Sequence, residues 1–155
     1  MNEKFFDLKK EKQDRMINAS LKVFAMNGYA HASTDDIVRE AGISKGLLFH
    51  YFVSKLGLYS FIYDYSIRYV ILELTTGVDK EETDYFRLVG QIREAELQVM
   101  RNYPCMMLFL NNSRLENVSE VLLETEDKRN ILSEKYAQIL SQATGEELDE
   151  RLSRE

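Results

Sequence analysis

One proline in 155 residues, Pro104, and only seven glycines leave this chain little with which to turn tightly. A fold of many short strands needs turn residues every few positions, so the shortage selects helices joined by few connections. We expect an all-α protein. Apolar residues make up 45% of the chain and charged ones 30%, which suits a globular domain with a hydrophobic core. One cysteine excludes an internal disulfide, and with two histidines a structural Cys/His zinc site is nearly excluded. No apolar run approaches the ~18 residues of a membrane span. The N-terminus, Met1 to Asp7, carries acids and no apolar stretch of the secretory kind. A cytoplasmic setting follows, with no membrane partner, no metal and no cofactor expected.

Periodicity places the helices. Ile17, Leu21, Phe24 and Ala25 form one apolar stripe in a helix from about Lys10 to Asn27, which Gly28 closes with a left-handed cap. Ser33-Thr34-Asp35-Asp36 is a helix start, a hydroxyl followed by acids that favour the positive dipole end. That short second helix ends at Gly42, and Ser44 opens a third, Lys45 to about Phe52. Ser54 opens a long fourth, Lys55 to about Thr75. Beyond the loop Gly77–Lys80, helices are expected at 83–102, after Pro104, and as one long element over 119–143.

Two short helices joined by Ala41-Gly42-Ile43-Ser44 have the spacing of a helix-turn-helix, with glycine reversing the chain and Leu48 plugging the gap. The second leaves Lys45, Gly46, Leu47, Phe49, His50 and Tyr51 for solvent, where a purely structural helix would show Glu/Lys pairs. Residues 1–55 hold 9 Lys/Arg against 7 Asp/Glu, a net of +2, while 56–155 carry 11 against 19, a net of −8. A mildly basic head on an acidic body can turn one end toward a polyanion.

Phe24-x3-Gly28-Tyr29, Ser33-Thr34-x2-Ile37, Ala41-Gly42-Ile43-Ser44-Lys45-Gly46-x-Leu48-Phe49-x-Tyr51-Phe52 and Ser54-Lys55 with Leu58 together resemble the DNA-binding domain of TetR-type transcriptional regulators. The resemblance covers about Lys10 to Leu58. It implies a three-helix head (1–54), a helical body (55–155) that senses a small effector and dimerises, and a homodimer on a palindromic double-stranded operator. Repression is the family default. The sequence departs from the family at Phe49, where tyrosine is usual, and at Leu56 and Gly57, where an acid and a polar residue are usual. Family members also carry two further C-terminal helices, so the end of this chain, Leu148 to Glu155, reads as a linker and the body as C-terminally truncated.

Lys45 can donate to guanine O6 and N7, Gly46 lets a backbone approach closely, and Leu47 suits a thymine methyl. His50 and Tyr51 offer donors to phosphate, with Phe49 just before them. Thr34 and Ser44 cap helices whose N-termini attract phosphate, and Lys55 opens the fourth helix beside the same strand. In the body, Tyr65, Tyr69, Met100, Tyr103 and Met107 are the expected lining of a pocket for an apolar or aromatic effector. With no phosphate-binding glycine loop, no nucleophilic Cys/His pair and no ligand cluster, an enzyme is not expected. The alternative is a helical interaction module that no longer binds DNA; it has no need for a basic, glycine-bearing, exposed helix at Lys45–Lys55.

Overall fold

The computed structural model describes residues 3–144, and no strand occurs among them. The elements are α1 (Lys10–His31), α2 (Thr34–Ala41), α3 (Lys45–Phe52), α4 (Lys55–Gly77), α5 (Tyr85–Asn102), α6 (Met106–Ser113), α7 (Ser119–Thr125) and α8 (Ile131–Leu140). The expected C-terminal linker lies outside the described residues.

Serines start three of these helices in the way the sequence leads one to expect. The Ser33 hydroxyl accepts from the Asp35 and Asp36 N–H groups, Ser44 from Leu47, and Ser54 from Gly57. Each such cap contributes about 1 kcal/mol. Thr34, expected to cap α2, is instead its first helical residue, because Ser33 already occupies the cap in an extended conformation. Gly42 ends α2 at φ 67°, ψ 40°, the left-handed cap that glycine adopts without steric penalty. Gly28 also has positive φ, 73°, but its ψ of 171° is extended. It therefore kinks α1 rather than capping it, and one further turn runs to His31 before the Ala32 N–H closes on the Gly28 carbonyl at 3.1 Å.

The α3–α4 corner is tighter than the sequence suggests. Val53 sits at φ 66°, ψ −43°, and the Ser54 N–H reaches the Phe52 carbonyl at 2.7 Å, a three-residue turn that strains a β-branched residue. The same crowding explains Gly57. A Cβ there would stand 2.2 Å from the Phe52 carbonyl oxygen, so a residue that weakens a helix interior is the one that fits.

Helix α4 packs along α5 and also meets α1, α3, α6, α7 and α8, which makes it the spine of the molecule. The buried apolar residues form one cluster from Phe5 to Ile139, continuous across the expected 54/55 boundary. Ahead of α1, where no structure was expected, a 3₁₀ turn at Glu3–Asp7 buries Phe5 fully against the rings of Phe52 and Phe61. The long helix expected over 119–143 is broken. Thr125 is buried and donates back to the Val121 carbonyl at 2.8 Å, and a 3₁₀ turn, Glu126–Lys128, then separates α7 from α8. Continuing the helix through Glu126–Asn130 would have carried charge onto its packed face. The break instead lets Lys128 reach buried Asp64 at 3.1 Å, beside Arg68 at 3.0 Å.

Candidate nucleic-acid interface and body cleft

Helix α3 is anchored by its buried residues Leu48 and Phe52, and it leaves Ser44, Lys45, Gly46 and His50 exposed. Leu47, Phe49 and Tyr51 are half-buried, so their rings and chains are shared between core and surface. Tyr51 packs edge-on against Phe5 and His50, with ring centroids 5.9 and 4.9 Å away. A Cβ built on Gly46 would touch nothing within 4 Å, so α3 offers bare backbone in its first turn.

Two of the expected cations are engaged. Lys45 Nζ lies 2.9 Å from Asp35 Oδ1 on α2, an exposed pair whose hydrogen bond holds the Asp35 carboxyl below its ordinary range. Asp35 had figured only as a first-turn acid; its role as partner of Lys45 depends on how α2 and α3 cross. Lys55 does not point to solvent beside α3. Its ammonium donates to the carbonyls of Tyr29 at 2.8 Å and Ala32 at 3.3 Å and stands 4.4 Å from the Tyr29 ring centre. It ties the end of α1 to the start of α4, and the two carbonyls it satisfies are those left over by the Gly28 kink.

The end of α1 is also held from the body. The Tyr29 N–H donates to Glu116 at 3.2 Å, and Asn112 donates to the Ala25 carbonyl at 2.8 Å. Burial, followed by a hydrogen bond with Glu120, pushes the Tyr29 hydroxyl up to about 12.

Of the five residues expected around an effector, three come together without enclosing a space. Tyr65, Tyr69 and Tyr103 stack edge to face, with the Tyr65 and Tyr103 hydroxyls 2.6 Å apart. Tyr103 donates to Asp14 at 3.1 Å, Lys10 donates to Tyr103 at 3.2 Å, and Asn102 donates to Tyr69 at 2.7 Å. These hydroxyls are satisfied, so the cluster is a packed joint between α1, α4 and α5. Met100 lies exposed on α5. Only Met107 lines a cavity.

That cavity is a cleft of about 740 Å³ between α4, α5, α6 and the α7–α8 segment. Ile67, Met107, Leu110 and Leu132 supply apolar wall, while Tyr63, Glu96, Arg114, Arg129 and Tyr136 supply polar groups. Tyr136 donates to Glu96 at 2.9 Å, and its hydroxyl is pushed well up by burial and by that carboxylate. The sequence offered one signal for Arg114: no acid stands three or four residues from it on either side. Among the described residues no group of His, Cys, Asp and Glu is placed to hold a metal, and no helix is long and apolar enough to cross a membrane.

Residues 16–60 match the family model described as bacterial regulatory proteins, tetR family. The chain is 38% identical over 93 residues to the HTH-type transcriptional regulator YuxN of Bacillus subtilis, covering 57% of this chain and 32% of the relative. It is 40% identical over 47 residues to the HTH-type transcriptional regulator TtgW of Pseudomonas putida, covering 30% of this chain and 35% of that protein. The match thus spans about a third of the length of these curated relatives. Among solved structures, a tetR family transcription regulator from Shewanella sp. PV-4 superposes with a TM-score of 0.60 at 23% identity, over 86% of this chain and 70% of that one. That likeness concerns the fold.

Proposed function

We propose that the chain is a regulator of the tetR family, whose model residues 16–60 match, and that it regulates transcription by reading an operator with α3. A homodimer places two heads on a palindromic site, one helical turn or ~34–36 Å apart. It acts as a repressor, and a small molecule with an apolar or aromatic body, held by the helical body, releases it. The observation that supports this most is the arrangement of α3: anchored by Leu48 and Phe52, capped at Ser44, with Lys45, bare Gly46 and His50 on its open side. Lys45 reads a base edge, Leu47 meets a methyl, and Ser44, His50 and Tyr51 contact phosphate. Phe49 and Thr34 flank those contacts, and Lys55 serves by fixing the angle between α1 and α4.

The route from body to head runs through α4 and through the Glu116 and Glu120 contacts to Tyr29. Coupling of this kind is reciprocal, so an inducer lowers operator affinity and operator DNA lowers inducer affinity by the same factor. The deciding test is fluorescence anisotropy on DNA from upstream of the protein's own gene, at two salt concentrations, beside Lys45→Ala. Tight binding that weakens steeply with salt and loses sequence preference in the variant is expected. Binding no better than to random DNA, alike for both proteins, would favour a helical interaction module.

A further inference from the structure

The body cleft holds two guanidinium groups, Arg114 and Arg129, that form no ion pair with any described residue. Unpaired arginines are common on surfaces, so by themselves they decide nothing. The informative residue is Tyr63. It is 7% exposed and lines the same cleft, yet its hydroxyl makes no hydrogen bond to any described residue. The ring is buried but the hydroxyl is open to the cleft, so it stands as a donor available to a molecule bound there. Burial pushes this hydroxyl up, while Arg129 and Arg114, which line the same cleft, pull it down.

Two acids, Glu96 and Glu126, line the same cleft without an ion pair to either arginine. Glu96 is occupied by the Tyr136 hydroxyl, and Glu126 is exposed on the 3₁₀ turn. Ile67, Met107, Leu110 and Leu132 give the cleft an apolar side, and about 740 Å³ is ample for a small organic molecule, since such sites span ~300–1,000 Å³. We propose that the cleft binds an organic anion with an apolar body, its carboxylate- or sulfonate-type head held by Arg114, Arg129 and the Tyr63 hydroxyl. Planar guanidinium groups suit such heads because they donate two parallel hydrogen bonds. The assignment names the chemical class of the effector, and its regulatory meaning rests on the reading of the chain as an effector-responsive regulator. Arg114 also begins the segment that carries Glu116 and Glu120 to Tyr29, so an anion that draws in Arg114 acts two and six positions from the contacts to the head.

The test is a fluorescence titration of the whole chain with 8-anilinonaphthalene-1-sulfonate and with N-phenyl-1-naphthylamine, which keeps the rings and lacks the anion. Both are repeated on Arg114→Gln, Arg129→Gln, Arg129→Lys and Tyr63→Phe. The expected result is saturable binding of the sulfonate, weakened about tenfold or more by each Arg→Gln change, as loss of a charge-assisted hydrogen bond implies. Arg129→Lys should recover part of that loss, Tyr63→Phe should weaken the sulfonate, and the uncharged probe should change less than twofold throughout. Equal losses for both probes, or no loss for the sulfonate, would overturn the proposal. Thermal melts identify any variant that fails to fold, and both arginines are exposed enough for the glutamine forms to retain the fold. Anisotropy with operator DNA, run without probe, separates the two readings: selective anion binding by a chain that ignores DNA would uphold the site and sink the regulator.

Discussion

Replacing Gly46 with alanine should move stability and DNA affinity in opposite directions. Gly46 is the second residue of α3, its φ is not positive, and an added Cβ meets nothing within 4 Å. Alanine therefore gains helix propensity without a clash, about 0.5–1 kcal/mol. For a chain of this length that raises the melting temperature by ~1–4 °C. If α3 lies in the major groove, however, the new methyl occupies the space the backbone uses to approach DNA. A displaced contact of the base-reading kind costs ~1–3 kcal/mol, or roughly 5–150-fold in affinity. Calorimetry and anisotropy on the same preparation read both quantities. A Gly46→Ala protein that is more stable and binds operator DNA as tightly as wild type would refute the placement of this face against DNA. One that is less stable would refute the open space around Gly46.

Gly57→Ala should do the reverse to stability: the 2.2 Å approach to the Phe52 carbonyl forces a shift at the α3–α4 corner, an overpacking cost of ~1–3 kcal/mol visible as a lower midpoint in urea. Lys55→Met keeps the chain length but abandons the carbonyls of Tyr29 and Ala32; a loss of ~1.5–3 kcal/mol is expected by denaturant titration, as for hydrogen bonds to a charged donor. At high pH, Tyr29 and Tyr103 should ionise near 12 rather than 10, chiefly because burial disfavours the phenolate. Their folded values are raised, so the stability they contribute is complete below pH 10 and is lost between 10 and 12. Absorbance of tyrosinate followed with pH, beside far-ultraviolet circular dichroism, would contradict this if ionisation were complete near pH 10 in the folded protein.

The head was legible because its signals are local. Ser44, Ser54 and Gly42 act within four residues of themselves, and the structure puts caps where those residues stand. Thr34 was misread by one position since Ser33 and Thr34 are both able to cap and only backbone conformation chooses between them. The body was less legible, because its outcomes depend on crossings between distant helices. Tyr65, Tyr69 and Tyr103 read equally well as pocket or packed joint, and Asp14 and Lys10, some ninety residues from Tyr103, decide for the joint. The break at Thr125 turns on buried Asp64 needing Lys128, a demand invisible in the 119–143 periodicity. Phe5 was missed because two adjacent phenylalanines ahead of the first helix carry no periodicity at all.

The pairing of Lys45 with Asp35 bears on how a regulator built this way finds one site among a genome of competitors. If α3 reads an operator as proposed, Lys45 off that operator already has an acceptor 2.9 Å away. A phosphate met at random must displace that carboxylate and then sits beside it, so casual encounters gain little. A base edge that offers Lys45 a better-placed acceptor recovers the exchange in full. On that reading the pair weakens binding at every wrong site more than at the right one, and an acidic body of net −8 over residues 56–155 works to the same end. Removing the Asp35 carboxylate would tighten binding everywhere and, by doing so, make the protein harder to find where it is needed.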